Sequence, residues 1–423
     1  MGSMKQLQWV GMYVVGVTLL TSGAAARAAE KTTEKTKIRV LLTVDGSHGW
    51  QEKEPIFQSL VDKAGDFVVT KTGDLDRWLP ERIKNYDLVV IHTTGGKLTN
   101  AQAEGLAKFV EAGGGVVGVH SASDSFKNSD RYWQLIGGRF SGHGHGTYKV
   151  EFVDEWHPIT VGLSDFEITD ESYQHTYHPK ADLHVIAKKR GDDRNMAWVK
   201  SVGRGRLVYL ANGHGVPAFK CAAFQKLLVN AMYWAARRSV PGSGYVCLFD
   251  GTDLKHWYNA DKQNAWVIED GVLVNKPGKA YQLRTVRQYD DFVIRLQWKL
   301  KPGGNSGLKL RTHTEIQILD DYAKKYDGRI KPCQHAGSVY CQIPAKPRAT
   351  KQAGEWNRMQ VLMRGKEVKV WMNGVKVVDG SFNDTEALKS RPMKGYILLQ
   401  YHGGGLWFRD IEIKPLSPKG GSS

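Results

Sequence analysis

Long apolar runs are rare in this sequence. The longest, residues 10–20, is shorter than the about 20 residues that a membrane-crossing helix needs, and no later run could span a bilayer. It follows Lys5 and precedes small residues, among which Ala26-Arg27-Ala28 fits the cleavage rule of secretory signal peptides. We therefore expect a signal peptide at residues 1–29, no membrane span, and an exported chain that is periplasmic or extracellular.

Cysteine is scarce as well, with only four residues at positions 221, 247, 333 and 341. Four cysteines allow three pairings, and the sequence does not choose between them. Cys333 and Cys341 are close enough to close one loop in an oxidising compartment. The spacing fits no zinc ribbon, so we expect structural thiols or one disulfide.

Acidic residues are outnumbered, with 43 Asp and Glu against 59 Lys and Arg, which gives a formal net charge of +16. The basic residues are scattered among acids and no nucleic-acid motif accompanies them, so we expect no nucleic-acid partner. No Gly-x-Gly-x-x-Gly follows a strand and opens a helix, so we expect no NAD.

The pattern of residues 37–238 alternates strand and helix. Continuous apolar runs at 38–44, 88–92, 116–120 and 206–212 predict buried strands, and 99–112 and 218–238 predict helices. Thr99 and Gln102 form a capping box at the first of these helices. Strands that alternate with helices predict an α/β domain with a doubly wound parallel sheet.

The period changes to two after a polar, turn-rich linker at residues 239–244. Apolar and polar residues alternate through 292–301, which predicts a half-buried strand. Asn373-Gly374 between two apolar runs predicts a hairpin with a type I′ turn. Residues 245–415 are therefore expected to form an all-β sandwich of the jelly-roll type, with a disordered tail at 416–423.

Histidines concentrate in the first region, and four of them follow predicted strands: His48, His92, His120 and His214. Ligands of open α/β sheets bind outside the carboxyl ends of the strands. His143 and His145 lie in a glycine-rich segment that we expect to be a loop. Candidate carboxylate partners are Asp45, Asp124 and Glu171. We expect these imidazoles to bind substrate, with His120 as a catalytic group; hydrogen-bonded strand-end residues without a chemical role are the alternative.

Several segments of this region resemble the trehalose-utilisation family, which has the class I glutamine-amidotransferase-like fold, a flavodoxin-like arrangement. They are Gly118-Val119-His120-Ser121-Ala122, Ile136-Gly137-Gly138-Arg139-Phe140, His157-Pro158-Ile159-Thr160 and 203–209. In amidotransferases the turn after this strand carries a nucleophilic cysteine. Here His120 holds that position, which excludes glutaminase chemistry.

The second region places polar groups on several predicted strands. Carboxylate, amide, imidazole and aromatic groups together suit a sugar, whose hydroxyls need donors and acceptors and whose ring stacks on aromatics. A solvated outer face is the alternative interpretation. The residues are Asn305, Arg311, Glu315, Gln317, His335, Tyr340, Trp356, Asn357, Gln400 and His402.

The second region resembles the 3-keto-disaccharide hydrolase domain, a concanavalin-like jelly roll. The resemblance rests on the segments that contain these residues, on the opening segment Leu248–Leu254 and on the closing segment Phe408-Arg409-Asp410-Ile411. The resemblance implies an enzyme that cleaves glycosides already oxidised at C3, often with a divalent metal ion. A separate oxidoreductase would make the 3-keto sugar.

The chemistry of such a reaction suggests roles for these residues. A base removes the proton at C2, the C1 substituent is eliminated, and water adds back. We expect Glu315 and His335 to be metal ligands or acid/base groups, with His402 as a further catalytic candidate. Asn305, Arg311, Gln317, Asn357 and Gln400 would orient hydroxyls, and Trp356 or Tyr340 would stack on the ring. The alternative function is a non-catalytic carbohydrate-binding sandwich attached to an α/β sugar-processing domain.

Overall fold

A computed structural model describes residues 37–46, 48–258, 266–277, 282–402 and 405–417. The predicted signal peptide lies outside these residues, and so does most of the predicted tail. Within the described part of the chain, none of the helices combines the length and the apolar character that crossing a bilayer requires.

A nine-stranded sheet forms the centre of the α/β domain. Its strands are β1 (Ile38–Val44), β2 (Phe67–Thr72), β3 (Leu88–His92), β4 (Gly115–Val119), β5 (Gly138–Phe152), β6 (Phe166–Tyr177), β7 (His184–Lys189), β8 (Asn195–Val202) and β9 (Gly205–Leu210). Its helices are α1 (Trp50–Ala64), α2 (Pro80–Ile83), α3 (Asn100–Glu111), α4 (Asp130–Ile136), α5 (Val216–Lys220) and α6 (Ala222–Ala235), with 3₁₀ turns at Leu75–Trp78, His120–Asp124 and Pro158–Thr160.

The strand order is β2-β1-β3-β4-β9-β8-β7-β5-β6, and the first five strands are parallel. β3 and β4 are buried along their whole length because helices cover the sheet, which is why they lack alternation. The predicted parallel sheet is confirmed for these five strands. The antiparallel extension of β8, β7, β5 and β6 was not predicted.

The helix boundaries follow local signals. The capping box of Thr99 and Gln102 is present at the start of α3. The closing helix predicted as one piece is divided at Cys221 into α5 and α6. Gly205 lets β9 pass under the end of α3, since a Cβ there would lie 2.1 Å from the carbonyl oxygen of Val110.

Two antiparallel sheets form the sandwich, as predicted. Its strands are β10 (Val246–Phe249), β11 (Trp266–Glu269), β12 (Val272–Asn275), β13 (Leu283–Tyr289), β14 (Phe292–Leu300), β15 (Asn305–Leu310), β16 (Thr314–Leu319), β17 (Asn357–Arg364), β18 (Glu367–Met372), β19 (Val375–Ser381), β20 (Gly395–Leu399) and β21 (Leu406–Pro415). The segment also holds helix α7 (Glu386–Lys389) and 3₁₀ turns at Lys324–Tyr326 and Pro332–Gln334.

The large sheet has the order β11-β12-β21-β14-β17-β18-β19 with β10 paired to β21, and the small sheet has the order β13-β20-β15-β16. Leu308, Ile316 and Ile318 of the small sheet point into the core, so alternate residues of the same strands face outward. Asn373 and Gly374 both have positive φ, which confirms the predicted type I′ turn between β18 and β19.

Strand β14 is more deeply buried than its alternation predicted. The amide of Gln297 donates to the Ser201 hydroxyl of the α/β domain at 2.7 Å, and Arg206 pairs with Glu412 of β21 at 2.9 Å. The second face of this strand is therefore covered by the α/β domain rather than by water, which is the reason the half-buried prediction was wrong.

The four cysteines are free thiols. The backbone N–H of Cys341 donates to the carbonyl of Cys333 at 2.9 Å, so these two residues are neighbours across one loop.

Candidate functional site

Three histidines meet at the carboxyl ends of parallel strands. His48 follows β1, His120 follows β4, and His214 follows β9. Their ring centroids are 5.6 Å apart for His48 and His120, 5.0 Å for His48 and His214, and 5.2 Å for His120 and His214. One nitrogen of each ring lies within 4.8 Å of the others, which is close enough for all three to bind one ion. We call these three residues the imidazole cluster.

His120 is held rigidly at the centre of the imidazole cluster. Its side chain is fully buried and its φ of 46° lies in the left-handed region, which is costly for a residue with a Cβ and is frequent at functional turns. Nδ1 lies 2.8 Å from the carbonyl oxygen of Ala211, which can only accept, so Nδ1 carries a proton. Nε2 lies on the opposite side of the ring, 3.2 Å from Nδ1 of His214.

Glu171 of β6 adds a carboxylate to the imidazole cluster. One of its oxygens lies 3.4 Å from Nε2 of His120 and 3.2 Å from Nδ1 of His214, and the other lies 3.6 Å from Nδ1 of His143. The hydrogen bond to His120 and the nearby imidazoles keep the pKa of Glu171 below its usual value, although burial opposes this. Burial, followed by the neighbouring imidazoles, lowers the pKa of His48 and His214. His48 and His214 therefore favour the neutral form beside a carboxylate that favours the ionised form.

A second layer of hydrogen bonds orients these rings. The Thr94 hydroxyl lies 2.7 Å from Nδ1 of His48, and the Thr94 backbone N–H donates to Asp45 at 2.6 Å. Asp170 accepts from the backbone N–H of His214 at 3.2 Å. Such outer partners fix the tautomer and direction of a ligating imidazole. The predicted carboxylate Asp45 therefore supports the imidazole cluster, and Asp170 performs a role that the sequence did not suggest.

Lys53 of α1 was also missed. Its ammonium donates to the carbonyl of His214 at 2.7 Å and lies 3.2 Å from Nε2 of His92, and burial lowers its pKa to about 8. His92 thus contacts Lys53, which bonds to the His214 backbone, and is not itself a member of the imidazole cluster. The missed signal was present, because Lys53 lies at helical spacing on the buried stripe that includes Trp50 and Phe57.

Three further predicted residues take other positions. His143 and His145 lie on strand β5, not on a loop, because β5 pairs along its length with β6. His143 reaches Glu171, whereas His145 is exposed and directly opposite Glu171 in the register. Asp124 pairs with Lys127 at 2.6 Å.

The imidazole cluster and Glu171 fit a divalent metal ion. Three imidazoles with one carboxylate are donors that zinc and neighbouring first-row metals accept, and hydrogen bonds to the rings complete such a site. Within the described residues this is the group of three ligands close enough to share an ion. Within the described part of the chain, the candidate metal site therefore lies in the α/β domain, whereas the residues named as metal ligands from the sequence were Glu315 and His335 of the sandwich.

A second polar site lies on the outward side of the small sheet. Glu315 of β16 is directly opposite Lys309 of β15, and their charged atoms are 3.9 Å apart. The amide of Gln400, just after β20, donates to Glu315 at 3.4 Å. The Glu315 side chain lies over Gly307, where a Cβ would be 2.7 Å from the carboxylate. We call Gly307, Lys309, Glu315, Gln317 and Gln400 the Glu315 face.

Burial and charge act in opposite directions on Glu315. Burial is the larger effect and raises the pKa of Glu315, while the charges of Lys309, His402 and Arg391 lower it. His402 is exposed next to this carboxylate. A carboxyl group that holds its proton more tightly than usual, between cationic groups, is suited to proton transfer. Lys309 and Arg391 were missed because a cation on an exposed strand or loop is ordinarily a solvated surface residue.

Two of the predicted amides lie on the same side of the small sheet. Gln317 is two residues beyond Glu315 and only 3 % exposed, and its Oε1 has no hydrogen-bond partner within the described part of the chain. Asn305 begins β15, at the far end of the same hairpin. The Asn305-Ser306-Gly307 segment is the first part of strand β15.

His335 does not join Glu315, which corrects the predicted metal pair. Nδ1 of His335 lies 3.1 Å from Asp321, and Nε2 lies 2.8 Å from the guanidinium of Arg348. Both ring nitrogens are therefore engaged, and a cation occupies the direction from which an ion would bind. In the described residues no hydrogen bond or ion pair joins His335 to Glu315.

Arg311 has a structural role instead of the predicted substrate-binding one. Its side chain is fully buried, and it donates to the carbonyls of Asp290 and Gly365 and to the carboxylate of Asp291. A guanidinium with these partners has no access to a sugar hydroxyl.

The remaining predicted contacts are distributed around the sandwich. Asn357 is buried and bonded to the Lys351 backbone, so it cannot bind substrate. Trp356 lies next to the large sheet with Arg409 over its ring at 4.1 Å, away from the expected stacking position. Tyr340 is joined to the Glu315 backbone at 2.9 Å and accepts at its hydroxyl from Gln334.

Comparisons with known proteins agree with this division of the chain. Residues 39–235 match the family described as trehalose utilisation, and residues 244–414 match the family described as the 3-keto-alpha-glucoside-1,2-lyase-like domain. A curated relative, the 3-keto-disaccharide hydrolase of Bacteroides thetaiotaomicron, is 24% identical over 250 residues, which are 46% of this chain and 86% of the relative. Both resemblances inferred from the sequence are confirmed.

Two of the solved structures that are similar to parts of the chain are as follows. A structure described as a ThuA-like protein of Parabacteroides merdae is 20% identical, with a TM-score of 0.44, over 49% of this chain and 92% of that one. A structure described as a glycosyl hydrolase of Parabacteroides distasonis is 26% identical, with a TM-score of 0.37, over 41% of this chain and 94% of that one.

Proposed function

We propose that this chain, a trehalose-utilisation domain joined to a 3-keto-alpha-glucoside-1,2-lyase-like domain, cleaves 3-keto-glycosides at the Glu315 face. The observation that carries this proposal is a half-buried carboxyl group inside the matched domain, with a pKa raised by burial and with the Lys309 ammonium 3.9 Å away. A relative that is named for hydrolysis of 3-keto-disaccharides supports the class of substrate.

The reaction uses the acidity that a ketone at C3 gives to the proton at C2. The carboxylate of Glu315 takes this proton, and the C–H electron pair forms the enolate, with its charge on the C3 oxygen. The enolate re-forms the ketone and expels the C1 substituent, which leaves as an alcohol after it gains a proton. Water then adds at C1 while C2 regains a proton, so the net reaction is hydrolysis.

The side chains around Glu315 supply the other requirements. Lys309 and Arg391 bring positive charge to the region where the enolate oxygen becomes negative. His402, exposed beside Glu315, is the proposed proton donor to the leaving group. Gln317 has an unpaired amide oxygen that could accept a hydrogen bond from a sugar hydroxyl. These roles replace the earlier pairing of Glu315 with His335.

The imidazole cluster supports a second activity in the same chain. We propose that His48, His120, His214 and Glu171 hold a divalent metal ion in the α/β domain and that this site acts on a related sugar. The ion, when bound, would supply a Lewis acid toward a carbonyl or hydroxyl oxygen. His143, exposed on the edge of the site and next to Glu171, would contact the ligand.

The proposal also includes the compartment of the chain and the reaction that must precede its own. The chain is proposed to be exported, on the basis of the leader-like residues 1–29. Because the substrate must already carry a ketone at C3, an alcohol-oxidising enzyme must act before this one.

The test is release of the aryl group from an aryl 3-keto-glucoside and of glucose from 3-keto-trehalose, each compared with its unoxidised counterpart. We expect rapid release only from the oxidised compounds. Glu315→Gln should reduce turnover by about 10²–10⁴-fold while sugar binding survives. The matched control is Glu367→Gln, since Glu367 lies on β18 and forms an exposed ion pair with Lys369.

The same experiment separates the enzyme from the alternative, a sandwich that only binds carbohydrate. Sugar binding without turnover in the wild type would favour the binding module. Equal turnover of oxidised and unoxidised glycosides would contradict the elimination chemistry.

A further inference from the structure

A cavity of about 240 Å³ lies between the α/β domain and the large sheet of the sandwich. Its walls come from the β5–β7 region, from β8 and from strands β14, β17 and β21. One water molecule occupies about 30 Å³ in the liquid, so the cavity volume is several times larger. Val153 and Glu155 are exposed on its rim, so the cavity is open to solvent. None of the residues of the imidazole cluster or the Glu315 face is part of its lining.

Three residues that line this interdomain cavity carry a buried polar atom without a partner. Oδ1 of Asp154, Nε of Arg206 and Oε1 of Gln360 have no hydrogen-bond partner within the described residues. Asp154 is 8 % exposed and Arg206 is 4 % exposed. An unpaired buried polar group costs about 1–3 kcal/mol, so three such residues around one space favour a polar ligand over an apolar one.

The Asp154 carboxylate is fixed toward the cavity by its neighbours. Its Oδ2 lies 2.7 Å from Nε2 of His184 and 3.1 Å from the guanidinium of Arg295. Burial opposes its ionisation, but the charge of Arg295 and the hydrogen bond from His184 keep the pKa of Asp154 below its usual value. Asp154 therefore favours the ionised form, and its Oδ1 has no hydrogen-bond partner among the described residues.

The charges of the lining balance. Four basic side chains face four carboxylates, and burial lowers the pKa of both lining histidines, His157 and His184, so these rings are neutral. A ligand with net charge would leave this balance uncompensated. The lining also contains Trp371, whose indole ring suits the C–H surface of a sugar. Guanidinium groups lie over the rings of the other two lining tryptophans, Arg364 over Trp156 and Arg206 over Trp234.

We propose that the interdomain cavity binds a neutral saccharide about the size of one pyranose. Each sugar hydroxyl both donates and accepts, so it can satisfy the carboxylate and amide oxygens of Asp154 and Gln360 together with the N–H of Arg206. An indole ring packs on the apolar side of the sugar. The saccharide joins the two domains because its partners come from both of them. This binding site does not depend on the activity proposed for the Glu315 face.

The test is calorimetric titration of the full chain with D-glucose, trehalose and glucose 6-phosphate. We expect one of the neutral sugars to bind with a Kd in the millimolar range or tighter, and glucose 6-phosphate to bind at least tenfold more weakly than glucose. Trp371→Ala and Gln360→Leu should each weaken the neutral sugar by about tenfold or more. Trp407→Ala, which changes a tryptophan outside the lining, and Glu315→Gln should leave this binding unchanged.

A crystal structure with the bound sugar complements the titration and decides the matter if the variants fold poorly. Sugar density against Asp154 and Gln360 is the expected result. The proposal is overturned if only water fills the cavity at saturating sugar, if no neutral sugar binds, or if binding survives both cavity substitutions but is lost in Glu315→Gln.

Discussion

Two carboxyl groups of this chain have opposite environments. Glu171 lies among imidazoles that lower its pKa, whereas burial raises the pKa of Glu315 on the sandwich. The first is suited to remain ionised and hold a cation, and the second is suited to exchange a proton. When the environments of two carboxyl groups shift their pKa values in opposite directions, the two groups are suited to different chemical roles. In the proposed function the two domains therefore have different chemistry, with metal ligation in the α/β domain and proton transfer in the sandwich.

The largest effect is expected when a proposed metal ligand of the imidazole cluster is removed. His120→Ala deletes the central nitrogen, so we expect complete loss of stoichiometric metal binding, measured by elemental analysis and metal titration, with 3-keto-glycoside cleavage unchanged. His145→Ala is the matched control, because His145 is exposed on β5. Full metal content in both His120→Ala and His48→Ala would show that the cluster is not a metal site.

The second test distinguishes a basic side chain with a structural role from one with a proposed functional role in the sandwich. Arg311→Met leaves Asp291 without its buried partner, so we expect a loss of about 3–5 kcal/mol in the free energy of unfolding. Lys309→Met, on the exposed side of the same strand region, should cost less than about 1 kcal/mol. Denaturant unfolding measures both. A small effect of Arg311→Met would reopen its predicted role in substrate binding.

Adjacent threonines offer a finer test of the imidazole cluster. Thr94→Val removes the hydroxyl that orients His48, so we expect metal affinity to fall by about 10–100-fold. Thr93→Val removes a hydroxyl that bonds to Ser125 instead, and it should leave metal affinity unchanged. Titration with zinc, under conditions where both variants are folded, distinguishes them. Equal affinities would mean that the Thr94 hydroxyl has no orienting effect.

The smallest expected effect is a shift in the pH dependence of turnover. Glu315 accepts a proton only when ionised, so kcat/KM should rise with pH through a pKa above the ordinary value of 4.5. Lys309→Met removes a charge that lowers this pKa, and the rise should therefore move to higher pH. A shift to lower pH, or none, would contradict the placement of Lys309 beside the base.

Topology explains which of these sites the sequence could predict. Parallel strands end at one edge, so His48, His120 and His214 could be expected together although they are far apart in the chain. In the antiparallel sandwich, the alternation of apolar and polar residues predicts which face of the sheet a side chain lies on. It does not predict the path of the loops that connect the strands. The face of Glu315 and Gln317 was therefore predictable, while the engagement of His335 by Asp321 and Arg348 was not.

The fold was predictable where local signals were strong, and less so where pairing is long-range. The capping box at Thr99 and the Asn373-Gly374 turn appear where the sequence placed them. The antiparallel extension was missed because the glycine-rich segment around His143 has the composition of a loop, and only its pairing with β6 makes it a strand. Residues such as Lys53 and Arg311 become informative only when their burial is known.

The most direct test of the central claim is exchange of the C2 proton of a 3-keto-glucoside in D₂O, followed by NMR. The account predicts deuterium at C2 with the wild type and with His335→Asn, and none above background with Glu315→Gln. Undiminished deuterium incorporation by folded Glu315→Gln would contradict it, because another group would then be removing the proton.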